Sequence, residues 1–194
     1  MDWSGLEATL LYGVLGRLLG WSRDVFYRRI HAVARRGMEI SPTDNILELH
    51  FGTGGLIRLL AAAAPQGFIA GVDPSQMMWE IARRRNGAAI HEGRVDLRVC
   101  EPTLLPWPEG RFDKAIAIDG FHSWPDPPDV LRGLRRVIRP GGALVLILRG
   151  ATPNYSASGS ASPLERLKQA GFEHGAVAGN VGPYEILIAI RAAR

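Results

Sequence analysis

The decapeptide Ile46-Leu47-Glu48-Leu49-His50-Phe51-Gly52-Thr53-Gly54-Gly55 joins a short apolar run to a glycine-rich turn, and Leu56 to Ala64 continue as a helical pattern that stops at Pro65. Strand, glycine turn and helix in that order form the setting in which nucleotide-type ligands meet backbone. Glycines permit positive φ and close approach, and the helix start offers unpaired N–H groups. Gly52-Thr53-Gly54-Gly55 alone is a weak signal, because many tight turns look like it. A second element strengthens it. Phe68 to Val72 reads as another strand ending at Asp73, 25 residues after Glu48, where a carboxylate can accept both hydroxyls of a ribose. Asp73-Pro74-Ser75 also reads as the N-cap of the next helix, and both roles can coexist. The turn lacks the full Gly-x-Gly-x-x-Gly spacing, and Glu48 would repel a pyrophosphate while holding a cationic amine, which argues against NAD or FAD.

Outward from this stretch the texture alternates. Ser75 to Arg85 reads as a helix, Val95 to Cys100 and Phe112 to Ile118 as strands, and Asp129 to Ile138 as a helix. In that last helix Val130, Leu131, Leu134, Val137 and Ile138 share one face. Arg139-Pro140-Gly141-Gly142 reads as a sharp stop before an apolar strand, Ala143 to Leu148. Leu164 to Ala170 is a short helix ended by Gly171, and His174 to Ala178 with Tyr184 to Ile190 form a final antiparallel pair. Alternating apolar strands and helices predict a doubly wound, mostly parallel α/β sheet covered on both faces. Before it, residues 1–44 form a separate N-terminal extension: Leu11, Leu15, Leu18 and Leu19, then Val25, Phe26, Ile30 and Val33, predict two helices bent near Gly20. The domain proper spans 45–194. Gly150 to Ser162 is a near low-complexity loop, expected to be mobile without ligand.

With 194 residues, 46% hydrophobic and 22% charged, the chain suits one domain with a full core. Its single cysteine, Cys100, excludes an internal disulfide, and no Cys/His spacing resembles a metal site. The longest apolar stretch without charge, Leu59 to Val72, is broken by Pro65-Gln66-Gly67 and too short to span a bilayer. Met1-Asp2-Trp3 opens no signal peptide, so the expected location is the cytoplasm. The formal charge is +4, but the arginines are spread along the chain without interleaved aromatics, which disfavours nucleic acid as a partner.

These segments resemble the S-adenosylmethionine-dependent methyltransferases of the class I, Rossmann-like fold, small bacterial methyltransferase-domain proteins in particular. Ile46 to Gly54 looks like their first motif and Gly71-Val72-Asp73-Pro74-Ser75-Gln76-Met77-Met78 like their second. Leu105-Pro106-Trp107-Pro108-Glu109-Gly110-Arg111-Phe112-Asp113 is similar to the segment leading into their fourth strand. Leu131 to Gly142 resembles their helix ending in L-R-P-G-G, and Ala170-Gly171-Phe172 their late A-G-F. The resemblance covers roughly residues 45 to 190 and implies seven strands with the last antiparallel. It also implies S-adenosyl-L-methionine as cofactor and S-adenosyl-L-homocysteine as product. By the same resemblance Gly52, Thr53 and Gly54 approach the methionyl part, Glu48 favours its ammonium, Asp73 with Pro74 marks the ribose, and Met78 packs near the adenine. Glu101-Pro102 replaces the usual Asp-Ala after the third strand, with Glu101 still able to accept the adenine amino group. The clear departure is His50, which stands where the family has its first glycine, beside the cofactor. If that position needs positive φ, a histidine is unfavourable there.

Methyl transfer needs an acceptor aligned with the methyl group and sulfur, and a base only where the acceptor must lose a proton. Asp119-Gly120-Phe121-His122-Ser123-Trp124-Pro125-Asp126 follows the fourth strand, where the family borders the reacting methyl. His122 is the candidate base, against a packing or capping role; Asp119 is a candidate cofactor or substrate contact. The expected activity is methyl transfer to a small molecule, with Tyr12 and Tyr27 of the extension lining a lid. The extension could instead rest on anionic lipid, making the chain a lipid methyltransferase in peripheral membrane contact. Alternatively, His50 and the lack of an assured base mark a non-catalytic binder of the cofactor. The sequence leaves acceptor and oligomeric state open.

Overall fold

The structure, a computed structural model, describes residues 38–119, 121, 124, 127–149, 162–181 and 184–191, with backbone alone for 149, 174–181 and 185. The N-terminal extension up to residue 37, with Tyr12 and Tyr27, lies outside the described residues, as do His122 and all of the 150–162 loop except Ser162.

The chain order is β1 (Ile46–Leu49), α1 (Gly55–Ala63), β2 (Ile69–Asp73), α2 (Gln76–Arg85), α3 (Gly87–His91), β3 (Val95–Val99), β4 (Phe112–Ile118), α4 (Pro127–Val137), β5 (Ile138–Arg149), α5 (Pro163–Gln169), β6 (Phe172–Val181) and β7 (Tyr184–Arg191). The sheet has seven strands in the order β3-β2-β1-β4-β5-β7-β6. β1 to β5 pair in parallel, and β7 runs antiparallel between β5 and β6. β1 and β2 are buried throughout, so their apolar runs face helices on both sides rather than alternating with polar residues.

Two cores flank the sheet. Leu47, Leu49, Ala115 and Ala117 point toward α4, whose Val130, Leu131, Leu134 and Val137 form its buried stripe. Ile46, Ile69 and Ile116 point toward α1, where Leu56, Ile57 and Leu60 are buried. A parallel ladder keeps paired residues on one face, which is why Ile46, Ile69 and Lys114 register while their neighbours Leu47, Ala70 and Ala115 serve the opposite core.

Two elements differ from expectation. α3 breaks no sequence rule but is five residues long, below the length at which periodicity is readable. Arg139 to Gly142 ends α4 as expected, yet it lies inside β5 rather than before it. The β4–β5 register jumps from Phe112↔Ile138 to Lys114↔Ala143, so these residues bulge, with Gly141 at φ 76°. Gly142 lies so close to the Asp113 carbonyl that an added Cβ would approach it to 2.6 Å.

Candidate active site

In the parallel sheet all strands from β1 to β5 end at one edge. The chain winds outward in one direction from β1 to β3 and in the other from β4, so β1 and β4 flank the switch point, where doubly wound sheets open a crevice. Backbone bonding shows the opening. The His50 N–H, just past β1, turns to Val72 O at 2.8 Å, toward β2. The Asp119 N–H, just past β4, turns to Ile147 O at 2.8 Å, toward β5. The two strand ends thus bond away from each other.

His50 and Asp119 share a further feature: both hold positive φ, 58° and 54°, although neither is glycine. His and Asp tolerate this region better than branched residues, but it still costs of order 1–2 kcal/mol. The structure therefore places His50 in the conformation that disfavours it, with the strain located beside the crevice. Gly52 (54°) and Gly54 (72°) continue the turn.

The two glycines act differently. A Cβ on Gly52 would meet nothing within 4 Å, so its bare side opens onto free space. A Cβ on Gly54 would lie 2.7 Å from both Ala82 Cβ and Asn86 Nδ2. Gly54 lets the end of α2 pack on the turn, where Asn86 Nδ2 donates to Gly54 O at 3.1 Å and Arg85 Nη1 to Thr53 Oγ1 at 2.9 Å. Asn86 and Arg85 were not among the residues singled out from the sequence. α2 is itself seated on β3 by Trp79 Nε1 donating to Leu97 O at 2.8 Å.

Asp73, 6% exposed, closes β2. Its Oδ2 accepts from Gly52 N–H and its Oδ1 from Ser75 N–H, both at 2.9 Å. Ser75, not Asp73, is the N-cap of α2, accepting from Met78 N–H at 3.3 Å. Each carboxylate oxygen of Asp73 keeps a further lone pair for a ligand hydroxyl.

Glu48, buried at 4% exposure, projects under the first turn of α1 and accepts a backbone hydrogen bond from Ile57. That helix has Gly54 as N-cap and no acidic residue in its first turn, so Glu48 supplies its capping carboxylate from the sheet. Burial, and then the Asp73 charge, push Glu48 well above the usual carboxylate range, with the Ile57 N–H opposing. Its Oε2 is buried with no hydrogen-bond partner, a site for a donor. Gly71, registered beside Glu48, lacks the Cβ that would strike Phe51 at 2.7 Å.

Of the other expected contacts, Pro74 and Glu101 are exposed, Met78 is half-buried, and Pro102 is buried. All follow β2 or β3 at the same sheet edge. Trp124 and Phe121, in contact at 4.8 Å between ring centroids, are buried core members beyond β4. Among the described residues no cluster of three or more His, Cys, Asp or Glu could hold a metal.

The turn fits S-adenosylmethionine on three counts: an orphaned buried carboxylate oxygen for an ammonium, a bare Gly52 face for close approach, and a ribose-position carboxylate. Comparison with known proteins agrees. Residues 46–142 match the family described as "Methyltransferase domain". The chain is 34% identical over 176 residues to a demethylmenaquinone methyltransferase of Thermus thermophilus, covering 91% of this chain and 77% of that protein. It is 30% identical over 145 residues to the ubiquinone/menaquinone biosynthesis C-methyltransferase UbiE of Geotalea daltonii, covering 74% of this chain but only 60% of that one. In fold it resembles the crystal structure of a SAM-dependent methyltransferase from Aquifex aeolicus, with a TM-score of 0.68 at 18% identity, over 82% of this chain and 88% of that one. The turn, the strand order and these relatives converge on one assignment: the chain belongs to the class I, Rossmann-like family of S-adenosylmethionine-dependent methyltransferases.

Proposed function

We propose that this protein transfers a methyl group from S-adenosylmethionine to a ring carbon of a small quinol-type acceptor, of the demethylmenaquinone class named for its relatives. The observation that carries the reading is the crevice between β1 and β4, edged by two residues held in left-handed conformation and floored by a turn whose bare Gly52 faces open space. S-adenosylmethionine supplies an electrophilic methyl group and leaves as S-adenosylhomocysteine.

In this reading Glu48 Oε2 takes the methionyl ammonium, Gly52, Thr53 and Gly54 bear the methionyl chain, and Asp73 takes the ribose hydroxyls. Pro74, Met78, Glu101 and Pro102 border the adenine, with Glu101 accepting its amino group. His50 and Asp119, the residues that follow β1 and β4, border the crevice and help to place the acceptor against the methyl group. Holding the two reactants in line supplies on the order of 7–11 kcal/mol in well-oriented reactions. The acceptor carbon forms the new bond, the carbon–sulfur bond breaks with its electron pair going to sulfur, and the ring proton passes to a base. We assign the base to His122, just past β4, and the cover of the crevice to the part of the 1–44 extension that carries Tyr12 and Tyr27. A bacterial, cytoplasmic setting belongs to the same proposal, the named relatives being bacterial. No helix among the described residues is long and apolar enough to cross a membrane. A prenylated acceptor would bring the protein to a membrane surface.

Incubation with labelled S-adenosylmethionine and chemically reduced demethylmenaquinone tests this. Label in the quinone ring is the expected result. Absence of transfer by a protein that binds S-adenosylhomocysteine would overturn the acceptor class.

A further inference from the structure

A cavity of about 500 Å³ lies at the opposite end of the sheet from the crevice. It opens where β4 and β6 begin and β7 ends, marked by the pairs Phe112↔Ile138 and Phe172↔Arg191. Five arginines line it, Arg132, Arg135, Arg136, Arg166 and Arg191, with Glu109 as the carboxylate in the lining and Asp129, three residues before Arg132 on α4, paired with that arginine. Methyl transfer at the crevice uses none of them.

The arginines are held, not merely near one another. Arg132, Arg135 and Arg136 fall at i, i+3 and i+4 on α4, hence on one face. Arg136 donates to Trp107 O at 2.6 Å and to Leu105 O at 2.7 Å. Arg135 Nε donates to Gly171 O at 3.1 Å, and Gly171 holds a φ of 83°, a conformation that favours glycine, with Arg135 packed against its bare side. Arg191 is the buried one among the five. Its side chain is 6% exposed, and it donates to the carbonyls of Arg136 and Ile138 and to Glu109 Oε1 at 2.8 Å. Its Nε is buried with no partner.

An arginine stays charged at any biological pH, and a buried charge is costly unless a counter-ion accompanies it. Glu109, whose side chain is 69% exposed, is a solvated and incomplete counter-ion for a guanidinium 6% exposed. Planar guanidiniums converging on one cavity match the oxygens of a phosphate, each fork offering paired N–H donors. Pro128 and Ala170 are the only apolar residues in the lining and every other side chain there is charged or polar, so a charged group rather than a hydrophobic body would be recognised.

We propose that this cavity binds a phosphate-bearing ligand at a site separate from the methyl-transfer crevice. The ligand is a free phosphorylated compound or the phosphate of an anionic lipid headgroup; both present the same chemistry. Glu109 occupies Arg191 in its absence and yields to it.

The probe is inorganic pyrophosphate, titrated into the full chain by calorimetry. Expected is saturable binding that weakens at least tenfold in Arg132→Gln/Arg166→Gln, about 1.4 kcal/mol. Glu109→Gln should tighten it, a gain that no folding defect can imitate. S-adenosylhomocysteine affinity should be equal in all three proteins. Sedimentation with phosphatidylcholine vesicles containing phosphatidylglycerol separates the sources. Pelleting that pyrophosphate competes away identifies the headgroup, and pyrophosphate binding without pelleting identifies a free ligand. No binding of pyrophosphate at millimolar concentration, equal affinity in Arg132→Gln/Arg166→Gln, or competition with S-adenosylhomocysteine would each overturn the proposal.

Discussion

Asp73 at the end of β2 holds Gly52 in the turn after β1, its Oδ2 accepting the Gly52 N–H at 2.9 Å. One carboxylate therefore sets the shape of the turn and, in the proposed reading, also meets the ribose. The two duties are compatible because backbone donors take one lone pair of each oxygen and leave another.

Asp73→Ala should consequently lose on two measurements. Cofactor affinity, read by calorimetry with S-adenosylhomocysteine, should fall by roughly 1.5–3 kcal/mol, the scale for hydrogen bonds to a charged acceptor. Thermal stability without ligand should also fall, by about 1–3 kcal/mol, because the N–H groups of Gly52 and Ser75 lose their acceptor. Unchanged affinity in a folded protein would place the ribose elsewhere.

The two glycines of the turn should respond oppositely to alanine. Gly54→Ala drives a Cβ into Ala82 and Asn86 at 2.7 Å, with φ at 72° besides. It should destabilise the free protein by about 2–5 kcal/mol, overpacking and backbone strain together. Gly52→Ala meets no atom within 4 Å and should cost only the strain, about 1–2 kcal/mol, while reducing cofactor affinity more than stability. Denaturant titrations beside binding curves distinguish the two; a Gly52→Ala protein with unaltered affinity would count against close cofactor approach.

His50→Gly relieves a left-handed residue at φ 58°. A stabilisation within about 1 kcal/mol, or a Tm rise of roughly 2–4 °C, is expected. Cofactor affinity should change by no more than about tenfold, ~1.4 kcal/mol. A hundredfold loss of methyl transfer at unchanged affinity would instead make the imidazole part of the chemistry.

Glu48 gives a pH dependence of definite sign. Its folded pKa lies well above its unfolded value of about 4.3, so between the two the native state binds more protons than the unfolded chain. Its contribution to stability is thus present at low pH and lost as pH rises toward the folded value. Glu48→Gln should flatten the fall of the ligand-free Tm as pH rises above the unfolded value of about 4.3 toward the raised folded one. If the ammonium meets Glu48, S-adenosylhomocysteine should bind wild type more tightly as pH rises, and the glutamine variant more weakly and with less pH dependence. Parallel pH curves for the two proteins would contradict that role.

Most of the turn is legible in the sequence, because it is a contiguous piece of chemistry. Apolar runs of strand length, a glycine turn, a helical stripe and an acid after the next run all have local causes, and β1 and β4 fall at Ile46–Leu49 and Phe112–Ile118 as read. Family resemblance then named the cofactor. The bond from Gly52 to Asp73, the Asn86 clamp on Gly54 and the capping of α1 by Glu48 were not legible, since each joins segments brought together only by the sheet. The same holds for Arg139 to Gly142, whose local stop signal is real but whose bulge depends on the register against β4. The arginines show the division most clearly. Along the chain they are spread without interleaved aromatics, which speaks only against a nucleic-acid partner, although Arg132, Arg135 and Arg136 already lie at helical spacing. Only the packing of α4, α5 and the end of β7 around Gly171 turns them into one cavity with a buried cation in its lining. Periodicity and turn chemistry act over a few residues and are written in order, whereas electrostatic convergence depends on distances in space.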